Sequence, residues 1–280
     1  MKGIPYIADT VEFHTWAKGE GYTFDSLKDE LSAALGEDED AEAVAQNVMD
    51  EIQSRQELLA ESYPFECDGY KLRVKWQNAS KSTYIFCLGL SLLPARYIEN
   101  EQRCVQFETI AMTAAKNFFG GEMLRIGAPW RTDEIQTYED LLNRVVELIP
   151  NLGVLLKKTA PDGGDAGWDV LLVKNFRDNQ FPRLVALGNC ATGRTDWKRK
   201  GRETEPEYFW SYFNHPPRSA CILFFAVPFK MDDDARLRRA SPVTVTFDRF
   251  RICENAPESS EDVRQWVEST RDAALEVPLN

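Results

Sequence analysis

The chain has 280 residues, 43% of them hydrophobic and 11% aromatic, which is enough for a full core and a smaller appended domain. Its start, MKGIPYIADTVEFHTWAKGE, lacks the basic opening and continuous apolar run of a signal peptide, and no stretch approaches the ~18 apolar residues of a membrane span, so a soluble cytoplasmic protein is expected. The formal charge of −12 argues against a nucleic-acid partner only if it is evenly spread, and it is not: residues 20 to 61 hold thirteen acids against Lys28 and Arg55, a net −11, which leaves about −1 for all the rest.

Several chemistries are excluded at once. The six cysteines, at 67, 87, 104, 190, 221 and 253, form no CxxC pair, and most sit in apolar segments such as YIFCLGL and SACILFF, so they read as reduced core residues rather than disulfides or a zinc site. The two histidines, His14 and His215, lie in unrelated contexts and offer little to a histidine metal site or a Ser-His triad. Neither a GxxxxGK[ST] phosphate loop nor a GxGxxG after a strand is present, which speaks against an ATPase or a dehydrogenase.

Taken in chain order, the acidic stretch predicts two helices, DSLKDELSAALG and DAEAVAQNVMDEIQSRQELLAE, each opened by an aspartate and separated at LGEDED. YPFECDGYKLRVK alternates as a hairpin turning at Asp68 and Gly69, whereas STYIFCLGLSLLP is a buried strand or a short helix that periodicity does not decide. Residues 1–98 thus form an acidic, mainly helical amino-terminal region. From there the pattern changes to helices in ENEQRCVQFETIAMTAAKNFFGG, closed by a glycine pair, and in TYEDLLNRVVELIP. Short segments rich in branched and aromatic residues follow: GVLLKK, WDVLLVKNF, PRLVALGNCATG, SACILFFAVPF and VTVTFDRFRI, the third and fifth long enough to cross a sheet. A last helix is expected in SSEDVRQWVESTRDAAL. Residues 99–280 then make one α/β (α+β) domain, a central mixed sheet flanked by helices.

Within that domain, strand alternation puts Asp169, Leu171 and Val173 on one face and Val170, Leu172 and Lys174 on the other. Val185, Leu187, Asn189 and Ala191 share a face of the next segment. If the two strands make a hairpin through RDNQFP, Asp169 and Asn189 become neighbours beside the glycine-rich DGGDAG loop and the CATG turn.

The ordered set Glu108 on the first helix, GDAGWD, LVALGNCATG and WKRK resembles the PD-(D/E)XK nuclease superfamily, and within it Mrr-type restriction endonuclease-like domains, over residues 101 to 250. A looser likeness, through YPFE and GNCATG…W..K, is to restriction endonuclease-like proteins of bacterial defence loci. The resemblance implies a metal-dependent endonuclease acting on DNA in prokaryotic anti-phage defence, beside a protein partner from the same operon. Phosphodiester hydrolysis needs a hard divalent cation, Mg2+ or Mn2+, held by one or two carboxylates with carbonyls and waters. By that likeness Asp169 is the foremost ligand, Glu108 a second ligand or an outer-shell group, Asp165 a reserve, and Asn189 positions the water or the metal shell.

The sequence departs from the family pattern at one position: two residues after Asn189 stands Ala191, where the family has its lysine. The W-x-x-K spacing from Trp197 points instead to Lys200, with Lys198 beside it. The run Lys198, Arg199, Lys200, Arg202 suits backbone phosphates in a sequence-independent groove. The competing expectation is a catalytically inactive nuclease-fold scaffold or adaptor of a defence complex, whose acidic helices dock a protein or mimic DNA.

Overall fold

A computed structural model describes residues 3–34, 40–75, 79–98, 101–161, 164, 166–178, 183–193, 205–217, 220–231 and 244–279. The chain divides into two compact units, Met1–Glu99 with Ala256–Asn280, and Asn100–Asn255. The closing segment 256–280, expected to end the second domain, groups with the first unit. Packing explains this. In that segment Trp266 packs edge-on to Phe86 at 5.3 Å between ring centroids, Arg271 lies over the Trp16 ring at 4.6 Å and donates to the Trp16 carbonyl at 3.0 Å, and His14 Nε2 meets the Val277 carbonyl at 2.9 Å.

The first unit contains helices α1 (Ile4–Lys18), α2 (Phe24–Ala34), α3 (Ala41–Leu59), α4 (Thr83–Leu92) and α5 (Ala95–Ile98), with strands β1 (Tyr22–Thr23), β2 (Phe65–Cys67) and β3 (Lys71–Val74). The strands form an antiparallel sheet in the order β1-β3-β2. The two acidic helices fall where the sequence puts them. Asp40 caps α3 by accepting the backbone N–H groups of Glu42 and Ala43 at 3.0 and 3.1 Å, which satisfies two otherwise orphaned donors. At the hairpin turn Asp68 Oδ1 accepts from the N–H groups of Tyr70 and Lys71, at 3.0 and 2.7 Å. The undecided STYIFCLGLSLLP is a helix, started by Ser82 accepting from the Tyr84 N–H at 3.1 Å and buried along its whole length.

Helix α1 is buried continuously from Ile7 to Trp16, acids included. Asp9 and Glu12 meet Arg55 of α3, whose Nη1 lies 2.8 Å from Asp9 Oδ1 and 2.9 Å from Glu12 Oε2, while its Nε reaches Glu51 at 2.8 Å. Tyr63 and Tyr84 donate their hydroxyls to Glu12, and Arg55 Nη2 donates to the Pro5 carbonyl at 3.0 Å. Burial by itself would lower the Arg55 pKa, but the charge of Glu12, then Asp9, outweighs it and holds the guanidinium well above its ordinary value.

The second unit carries α6 (Glu101–Phe119), β4 (Glu122–Arg125), α7 (Tyr138–Leu148), β5 (Val170–Lys174), β6 (Leu184–Cys190), α8 (Pro206–Trp210), β7 (Ile222–Ala226), β8 (Thr244–Phe247) and α9 (Arg249–Asn255). Its five strands form a mixed sheet in chain order, β4, β5 and β6 antiparallel and β6, β7 and β8 parallel. One face is covered by α7 and α8: Leu171, Val173, Val185 and Leu187 share a cluster with Leu141, Leu142, Val145 and Phe209. The other face packs beneath α6, whose Phe119 meets Phe224 and Phe247 at 6.3 and 6.0 Å. Residues Val170–Val173 are no more than 1% exposed, so β5 is covered on both faces and each side chain contributes about 1.5–3 kcal/mol by leaving water.

Two expected strands take other forms. GVLLKK makes only a bridge from Leu155 to Phe213. VTVTFDRFRI is a strand only to Phe247. There the buried Asp248 accepts the Arg251 N–H through Oδ1 at 3.2 Å, capping α9, so the chain turns into a helix. The final segment is likewise two helices, α10 (Glu261–Ser269) and α11 (Arg271–Leu275), broken at Thr270. No disulfide joins any of the six cysteines.

Arg55→Met is expected to destabilise the first unit by roughly 3–5 kcal/mol, because two buried carboxylates lose their counter-charge. Urea denaturation followed by circular dichroism checks this. A loss below about 1 kcal/mol would show that the network contributes no more than an exposed pair.

Candidate functional site

Strand register decides which residues meet. Val170 of β5 pairs with Gly188 of β6, and just before it Asp169 bonds to the Gly188 carbonyl and the Cys190 N–H, the two residues that flank Asn189. Both stand at the edge of the sheet where the parallel strands β6, β7 and β8 end, the edge at which open α/β sheets bind ligands.

Asp169 is held by four hydrogen bonds at three of its atoms. Its N–H donates to the Gly188 carbonyl at 3.0 Å, its own carbonyl accepts from Ile126 and Gly127 at 2.9 and 3.0 Å, and its Oδ2 accepts from the Cys190 N–H at 2.6 Å. The last is a short, charge-assisted bond of the kind a carboxylate makes with backbone donors. Two glycines make this geometry possible. A Cβ at Gly127 would fall 2.7 Å from Asp169 Oδ1 and 2.9 Å from its Cα, and a Cβ at Gly188 would fall 2.0 Å from the buried Phe224 ring. The side chain is 9% exposed, and that of Asn189 4%.

Glu108 lies on α6 and is paired with Arg125 of β4, whose Nε stands 2.9 Å from Glu108 Oε2, with both side chains largely buried. Arg125 pairs across the ladder with Val170 and so shares the α6 face. Lys174 points with the α6 face too, donating to the Phe119 carbonyl at 3.0 Å. Ala191 is 3% exposed within an apolar cluster of Phe225, Val227, Phe229 and Met231, so the family's lysine position is filled by core packing. Asp165, Lys198, Arg199, Lys200 and Arg202 lie outside the described residues.

Arg125 escaped the sequence reading, because EMLRIG after the glycine pair was not recognised as a strand. Its Nη1 donates to the Gly127 carbonyl at 3.2 Å and its guanidinium also caps the Pro129 carbonyl, tying α6, β4 and the loop over Asp169 together. Further along, Trp130 Nε1 donates to the Gly164 carbonyl at 2.7 Å and so fastens that loop to the glycine-rich turn.

Among the described residues no group of three or more His, Cys, Asp and Glu side chains is gathered to hold a metal ion. Asp169 and Asn189 offer one carboxylate and one amide, two hard oxygen donors. That set suits magnesium or manganese bound mostly through water and a phosphate, and does not suit a closed zinc site. Comparison with protein-family models, with curated proteins and with solved structures finds no match to this chain.

Gly188→Ala is expected to cost about 1–3 kcal/mol through overpacking against Phe224, and to loosen the Asp169 N–H bond to the carbonyl of residue 188. Thermal denaturation of the purified variant checks the first part. An unchanged melting temperature would mean that the Phe224 ring yields freely.

Proposed function

We propose that residues 100–255 form a restriction endonuclease-like domain that hydrolyses DNA phosphodiester bonds with Mg2+ or Mn2+. The observation that carries the reading is the fixed Asp169 carboxylate beside Asn189 at the ligand-binding edge of a mixed sheet with helices on both faces. Its order along the chain agrees with the PD-(D/E)XK resemblance.

A bound divalent ion would lend the site charge neutralisation at the phosphate and a lowered pKa for the attacking water. The chain's own groups do the rest. Asp169 would hold the ion, and its carboxylate is pre-oriented by the Cys190 N–H on Oδ2 before substrate arrives. Asn189 orients the water through its amide. By the resemblance, Lys200 or Lys198 would serve the phosphate and Arg199 and Arg202 the DNA backbone. Prokaryotic anti-phage defence beside an operon partner, and a cytoplasmic setting, come with the resemblance. Among the described residues no helix is long and apolar enough to cross a membrane.

A second reading has its own support. The engagement of Glu108 by Arg125, and the core packing at Ala191, favour a nuclease-fold scaffold or adaptor that has lost the chemistry.

Incubating the full chain with supercoiled plasmid and Mg2+ or Mn2+ separates the two. The enzyme reading expects nicking or linearisation that chelator abolishes and that Asp169→Ala reduces at least about a hundredfold, since the ion's contribution is several kcal/mol. Cleavage undiminished in Asp169→Ala removes the site assignment, and absence of cleavage with both metals favours the scaffold.

A further inference from the structure

We infer that Glu108 and Arg125 are positioning residues for Asp169, acting through the loop after β4 rather than at the metal or the phosphate. The inference takes from the proposed function only the identity of Asp169 as the working carboxylate.

The chain of contacts is continuous. Glu108 Oε2 stands 2.9 Å from Arg125 Nε, with 8% and 14% of the two side chains exposed, so the pair is screened little by solvent. The Nε–H is not aligned on the oxygen. The attraction is therefore mainly Coulombic, and it leaves the two Nη groups to choose their own partners. Those partners are the carbonyls of Gly127 and Pro129. Between Arg125 and those carbonyls lies the backbone that grips Asp169: the N–H groups of Ile126 and Gly127 both bond to its carbonyl, and the bare Cα of Gly127 runs against its carboxylate. A planar fork suits this task because it holds a carboxylate on one side and carbonyls on the other at once, which an ammonium cannot do in fixed geometry.

Two features make the pair more than a helix-to-strand clamp. Residues 126 and 127 continue from β4 beyond its last ladder pair, Arg125 with Val170, so the regular register no longer fixes them. And the Asp169 carboxylate itself accepts the Cys190 N–H through Oδ2 at 2.6 Å. A shift of the loop would therefore be read at that bond.

The Cys190 amide is the reporter, and it needs neither metal nor substrate. In the full chain labelled with 15N, Glu108→Gln and Arg125→Lys are expected to speed amide exchange at Cys190 about tenfold while leaving Ala186 and Leu187, in the middle of β6, as in the wild type. Manganese titration of the same samples is expected to show affinity weakened by about tenfold. Unchanged exchange at Cys190 in both variants overturns the inference. So does an equal acceleration along all of β6, because that would make the pair a general clamp of the sheet. If the wild type binds no manganese, the nuclease reading fails, and the exchange pattern at Cys190 still decides the positioning role.

Discussion

The placement of Asp169 depends on backbone hydrogen bonding before it depends on any charge. Its N–H and carbonyl extend the ladder one residue past the start of β5, to the Gly188 carbonyl on one side and to the Ile126 and Gly127 N–H groups on the other. With the main chain fixed on both sides, the side chain has little freedom left, and the Cys190 N–H takes up Oδ2. A carboxylate so anchored loses little conformational entropy on meeting a cation, which is what preorganised sites require. The same anchoring explains why glycine stands at 127 and at 188: each Cβ would occupy space already taken by Asp169 or by Phe224.

The first unit solves a different problem. It carries most of the chain's negative charge, yet several of its acids have local partners: Glu42 with Lys28, Glu61 with Lys75, Glu51 with Arg55, and Asp25 and Glu30 with the hydroxyls of Tyr70 and Tyr22. The exposed pairs among these contribute little. The buried cluster of Arg55, Asp9, Glu12, Tyr63 and Tyr84 is the costly one, because every member must stay paired for any to be tolerated away from water. It ties α1 to α3 and α4, and so fixes the arrangement on which the acidic surface rests.

Much of the second unit is legible in the sequence because period-two alternation and short connections leave few choices. The Asp169 and Asn189 juxtaposition needs only a hairpin between WDVLLVK and LVALGNC, and the register supplies it. Helices opened by Asp40 and closed by a glycine pair after Phe119 follow from local capping chemistry. What escaped has physical causes as well. Helix α1 is apolar on all sides and interrupted by Asp9 and Glu12, so it has no amphipathic stripe to read, and its acids make sense only once Arg55, more than forty positions away, is beside them. VTVTFDRFRI alternates like a strand throughout, and only the tertiary burial of Asp248 shows that it is a cap. STYIFCLGL has no usable period because it is buried all round. For Glu108, position on the first helix could be read, but its pairing with Arg125 could not, since β4 itself was not recognised.

The proposed site rests on the carboxylate at 169 holding a hard cation, with Glu108 paired to Arg125 and an alanine at 191. Crystals of the full chain soaked in manganese, with anomalous scattering recorded, test it most directly. The account expects an anomalous peak about 2.1 Å from Asp169 Oδ1, completed by oxygen ligands in octahedral geometry, with Glu108 remaining on Arg125. Asp169 free of any peak at saturating manganese, with its carboxylate instead covered by a side chain of the same protein, would contradict it.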